Sequence, residues 1–195
     1  MKCKKVLKLA AVSVLLLAMS ATAGKGDNVR WRDIIGIVEA GNVVGKGTVG
    51  GFTSGIPGGA PWSTLSGGAK VNLSNGQVQF EVKGLVLAAG SASALGITAL
   101  PIGTTGGIPE VIGTLVCNVG PPNSTGNSAS IDTPAVPLSA TGDAKFSGKF
   151  SDTIPDACTS APDNMAFLLR IAGTGSVTSG GFDGVWIASG AVLDR

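Results

Sequence analysis

The stretch Gln77 to Ala89, QVQFEVKGLVLAA, restricts the fold more than any other part of this chain. Val78, Phe80 and Val82 alternate with Gln77, Gln79, Glu81 and Lys83, the period of two that a half-buried β-strand needs. At Gly84 the alternation stops, and Leu85 to Ala89 run apolar without a break. A strand wet on one face at its start and buried on both at its end is expected near the middle of a sheet. Gly84, at the change of pattern, predicts a bulge or a close backbone approach.

The amino-terminal residues read as an address. Lys2, Lys4, Lys5 and Lys8 precede an apolar run, Leu9 to Met19, and Ala21-Thr22-Ala23 supplies small residues for cleavage. The run is shorter than the roughly 20 residues a spanning helix requires, so residues 1–23 are expected to be a signal peptide. Cys3 lies before the run and is not placed as a lipid-attachment cysteine. Residues 24–195 are then expected to form a single domain, secreted, periplasmic or on the cell surface, with no membrane span. Without those four lysines, 14 basic residues become 10 against 12 acidic ones, and the net charge falls from +2 to −2. Such a near-neutral total offers no charge argument for nucleic acid or anionic lipid as a partner.

The rest of the chain is short apolar runs divided by glycine, proline, asparagine and serine, the texture of an all-β domain. Residues 24–33 read as a solvated lead-in. Strands are expected in Ile34–Val44, Ala69–Leu73, Gln77–Ala89, Val111–Cys117, Ile131–Leu138, Asp143–Phe150, Ala166–Ile171 and Val185–Leu193. Ser74-Asn75-Gly76 joins two of these as a hairpin. Pro134 and Pro137 confine their strand to an edge. A helix in 92–100 is interrupted by Gly96, and 151–164 reads as a loop. LSNGQVQFEV at Leu73 and LSATGDAKFSG at Leu138 echo each other, as two similar hairpins would. The expected fold is an antiparallel β-sandwich, or a partly closed barrel, of about eight strands. Gly45 to Gly68 holds nine glycines and is expected to be the most mobile segment, with few side chains to bury.

The chain has no histidine and no tyrosine, which removes Ser-His-Asp and Cys-His catalysis, HExxH zinc sites and a phenolic acid. Gly45 to Gly50 matches GxGxxG, but the residues after it cannot form the helix that a pyrophosphate needs. Glu39, Glu81 and Glu110 are the only glutamates, and Glu81 belongs to the wet face of its strand. Asp152, Asp156 and Asp163 surround Cys158 without the order of a calcium loop, and read as solvated charges. Cys117 and Cys158 remain after signal removal. An even pair in an oxidising compartment, without CxxC spacing, reads as a disulfide closing a loop of 40 intervening residues. No metal, catalytic residue or cofactor is expected.

GLVLAAG, GTLVC, DTPAVPLSATGDAKFSG, Cys158, AFLLRI and WIASGAV, in that order, resemble a group of small exported bacterial proteins with no assigned activity. The resemblance spans residues 78–193 and implies a secreted β-rich domain with paired cysteines.

These features favour an exported non-enzymatic structural or binding module of the cell surface or extracellular matrix, its partner a glycan or another surface protein. A second reading is a carbohydrate-binding module that presents Trp62, in the glycine segment, with Trp31 as helper. A third is a hydrolase using two carboxylates. Trp186 is expected to face the core or sheet.

Overall fold

The computed structural model describes residues 27–90, 101–120, 126–172 and 183–194. The expected signal peptide and the interrupted helix in 92–100 lie outside these residues. The described chain is nearly all antiparallel β. The longer strands are β1 (Asn28–Gly36), β5 (Ser66–Asn72), β6 (Gln77–Lys83), β8 (Glu110–Cys117), β11 (Ala144–Lys149), β12 (Met165–Ile171) and β13 (Trp186–Asp194). Between them lie shorter pieces: β2 (Val43–Val44), β3 (Ile56–Pro57), β4 (Trp62–Ser63), β7 (Val86–Leu87), β9 (Ala129–Asp132) and β10 (Val136–Pro137). One short helix, α1 (Asp156–Ser160), interrupts the expected 151–164 loop and carries Cys158.

The main sheet runs β10-β8-β12-β13-β1-β5-β6-β11, with β9 also pairing β8. It curls into a partly closed barrel. Phe80 on β6 and Phe167 on β12 have ring centroids 5.7 Å apart, although four strand steps separate them along the sheet. In a flat sheet those steps would span about 19 Å. Trp31 extends the contact on one side, 5.6 Å from Phe167, and Phe146 extends it on the other, stacked 5.9 Å from Phe80. Gly113 leaves room at the centre, since a Cβ there would sit 2.8 Å from both Phe167 and Phe80. The two ends of the sheet approach where the Ser151 N–H donates to the Asp132 carbonyl at 2.8 Å. The echoing segments become neighbours, with Phe80 directly opposite Phe146.

The alternation read in Gln77–Lys83 is realised in full: Val78, Phe80 and Val82 are buried and the four polar residues exposed. Its expected continuation is not. At Gly84 the backbone turns to φ +64°, and a Cβ there would meet Leu65 at 2.6 Å. The chain leaves the main sheet, and Val86–Leu87 pairs with Trp62–Ser63 instead. The strands buried on both faces are β8 and β12. The lead-in reading of 24–33 is also corrected, because Asn28–Gly36 is a central strand with Val29 and Trp31 in the core. Arg30 and Arg32 masked an alternation that was present in NVRWR.

The glycine segment is packed rather than bare. Val49, Phe52, Ile56, Ala60 and Trp62 are buried, and the segment packs on β12 and β13 and reaches Ser130 of β9. Arg170 on β12 clamps it. This guanidinium, 2% exposed, donates to the Gly50 carbonyl at 2.8 Å, the Gly184 carbonyl at 2.6 Å and Asp132 Oδ1 at 3.3 Å. Burial lowers its proton affinity, and the charge and hydrogen bond of Asp132 oppose that shift. Cys117, ending β8, and Cys158 in α1 are bonded, with Cα atoms 4.9 Å apart, inside the range a disulfide requires.

Two stability outcomes follow from this packing. Phe80→Ala empties the contact that joins opposite walls and is expected to cost about 3–5 kcal/mol in urea unfolding. Reduction of the Cys117–Cys158 bridge is expected to lower Tm, by an amount equivalent to at most roughly 4 kcal/mol in the loop-entropy picture. Two titratable thiols at these positions in unfolded, unreduced protein would contradict the pairing.

Candidate functional site: a cationic groove on the uncovered half of the sheet

The outer layer stops short of β1, β5, β6 and β11, so their outward side chains face solvent. Pairing register decides which of these side chains are neighbours. Arg30 lies opposite Lys70, Lys70 opposite Gln79 and Gln79 opposite Ser147. In the adjacent row, Gly68 lies opposite Glu81 and Glu81 opposite Lys145. Ser66–Lys83 forms a third row and Gln77–Lys149 a fourth.

The first three rows line an open groove of about 780 Å³, and the fourth continues the same face beyond it. Its floor is bare at Gly68, which lies in the outward row opposite Glu81 and places no side chain there, whereas the adjacent Gly67 turns inward opposite the buried Val82. Neither glycine is readily replaced. A Cβ at Gly67 would come within 2.8 Å of Ile34, and one at Gly68 within 3.2 Å of the Trp31 carbonyl oxygen.

Charge is the distinguishing property of this face. Eight arginines and lysines fall among the described residues, and six of them lie here: Arg30, Arg32, Lys70, Lys83, Lys145 and Lys149. The other two are the buried Arg170 and Lys46. All 12 acidic residues of the chain are described, yet Glu81 is the one carboxylate lining the groove. It pairs with Lys83 at 3.5 Å. At the rim Asp194 accepts from Arg32 Nε at 3.0 Å, and this hydrogen bond, with the carboxylate's charge, raises the guanidinium's proton affinity further. Among the described residues Arg30, Lys70, Lys145 and Lys149 make no ion pair. The near-neutral total charge thus hides a segregated surface.

The expected ligand-contact tryptophans are elsewhere. Trp62 is 3% exposed and packs with Leu87, and Trp31 is 2% exposed and packs on Phe167. Neither offers an indole face to a sugar, which corrects the reading that placed them at a binding surface. The reason lies in the glycine segment: with little side-chain bulk of its own, it lets Trp62 sink against the sheet, where its backbone N–H donates to the Ile37 carbonyl at 2.7 Å. Trp186 is buried as expected, its indole N–H donating to the Asn42 carbonyl at 3.1 Å. The cavity beside Trp62 holds about 60 Å³ and is lined by apolar groups, glycines and Thr105, without a charged residue.

Carboxylate chemistry finds no assembled site here. The groove has one acidic residue where glycoside hydrolysis uses two. Among the described residues, no three of His, Cys, Asp or Glu gather as a metal set, so Asp152, Asp156 and Asp163 do not form one. No described helix is long and apolar enough to cross a membrane. No family model matches this chain, and no curated protein or solved structure is significantly similar to it.

The groove residues carried a signal in the sequence. Arg30 and Arg32, then Lys145 and Lys149, sit at alternate positions on wet strand faces, but which strands adjoin was not legible. Since Lys70 and Lys145 are exposed and unpaired, Lys70→Gln and Lys145→Gln are each expected to change stability by less than about 0.5 kcal/mol, measured by thermal melting.

Proposed function

We propose that this chain is an exported, non-enzymatic binding module of the cell surface or extracellular matrix, and that the groove across β1, β5, β6 and β11 is its binding surface. The observation that carries this reading is the concentration of six cations on the face that the outer layer leaves uncovered, five of them lining its concave groove. Clefts lined by one sign of charge focus their field and raise the local concentration of an oppositely charged partner. The absence of histidine and tyrosine, and the lone groove carboxylate, supply no acid–base pair to such a partner once bound.

Amide chemical-shift mapping with a panel of soluble anionic and neutral polymers tests the assignment. Perturbations are expected to concentrate in Arg30–Arg32, Ser66–Lys70, Gln79–Lys83 and Lys145–Lys149. Perturbation confined to the covered half of the barrel, or none with any polymer, would overturn it.

A further inference from the structure

We infer that the occupant of the groove is an anionic polysaccharide, a glycan bearing carboxylate or sulfate groups along its length; the inference rests on the binding-module reading above. Three features of the face select this chemistry. First, its positive charge is distributed. The cations sit on four neighbouring strands, which spreads them over about 14 Å. A single phosphate would meet only one or two of them, whereas a polymer with repeated anionic groups meets several at once and releases its condensed counterions on doing so.

Second, the cations are interleaved with uncharged donors and acceptors. Gln79 and Ser147 continue the row begun by Arg30 and Lys70, and Ser66 lies opposite Lys83. Amides and hydroxyls alternating with cations suit a ligand whose own surface alternates hydroxyls with anions.

Third, aromatic platforms are missing. Trp31 and Phe80 border the groove but are 2% and 3% exposed, and the half-buried Phe146 stacks on Phe80. Single-stranded nucleic acid is held by stacking its bases on exposed rings, and among the described residues none is offered on this face. An uncharged sugar polymer, which would lean on such rings, is disfavoured for the same reason.

The test is calorimetric titration of the purified protein with polygalacturonate, with dextran as an uncharged glycan, and with a single-stranded oligonucleotide of similar charge. Polygalacturonate is expected to bind, and to bind less tightly as NaCl rises from about 50 to about 200 mM. Lys70→Gln/Lys145→Gln is expected to weaken binding about tenfold or more. Val38→Glu/Ile102→Glu lowers net charge equally at exposed positions outside the groove, and is expected to change affinity less than about twofold. Melting curves confirm that each variant is folded; if the lysine variant is not, lysine-by-lysine substitution gives the same comparison.

Equal losses in the two double variants would mean attraction by total charge, and would overturn the inference. Tighter binding of the oligonucleotide than of polygalacturonate would also overturn it, in favour of nucleic acid. Dextran binding with shifts at the groove, and no polygalacturonate binding, would end the anionic assignment while leaving the binding module standing. Binding of none of the three polymers would end the inference; if the wider polymer panel also left the groove unperturbed, the binding-module reading would end with it.

Discussion

The contact between Phe80 and Phe167 is the constraint from which the rest of the architecture follows. A sheet can bring residues four strands apart to a centroid separation of 5.7 Å only by curling until its walls face each other. Right-handed strand twist favours such curling, but side-chain packing fixes how far it goes. Here the packing is a line of rings, Phe146, Phe80, Phe167 and Trp31, that fills the space between walls. Gly113 is the matching absence, since any side chain would occupy the place where the two central rings meet.

Curling gives the sheet an inner and an outer face, and the outer face is treated differently in its two halves. Over β12 and β13 it is covered by the glycine-rich segment. A buried guanidinium holds that layer down, and such a group is tolerated only when its donors are matched. Arg170 meets this condition with two backbone carbonyls and a half-exposed carboxylate, all from segments distant in sequence. The glycines let the covering chain lie close enough for its carbonyls to serve as partners. Over β1, β5, β6 and β11 there is no such layer. Solvent stays in contact with the strands, and their long cationic side chains border the glycine floor. The groove is therefore a consequence of where the cover ends.

Several elements were legible before any tertiary structure. The alternation of Gln77–Lys83, the buried strand in Val111–Cys117, the edge placement of the Pro134/Pro137 segment and the Asn-Gly turn each follow from rules spanning only a few residues. Residue 72 shows how local such rules are: Asn72 Oδ1 accepts from the N–H groups of Ser74 and Asn75, so the turn is built from its own side chains. The glycine segment was misread because composition counts side chains and not their targets. Val49, Phe52, Ile56 and Trp62 are few, yet each reaches the core. Trp62 and Trp31 were misplaced for a related reason, since a large aromatic has the same local signature in a core as on a binding face.

What the sequence by itself determined was most of the strands, Asn28–Arg32 excepted, the lack of histidine chemistry and the alternation of polar with apolar residues in Gln77–Lys83. All of these depend on residues close together in the chain, where a period of two leaves a direct imprint. Tertiary structure alone decided that Arg30, Lys70, Lys83 and Lys145 share one face, because strand order and register are set by contacts across the whole chain. β1 joins β5 across the glycine segment, and β6 joins β11 across some sixty residues. Those pairings are chosen by which apolar faces can be buried together, and the groove's charge is carried along on the opposite face.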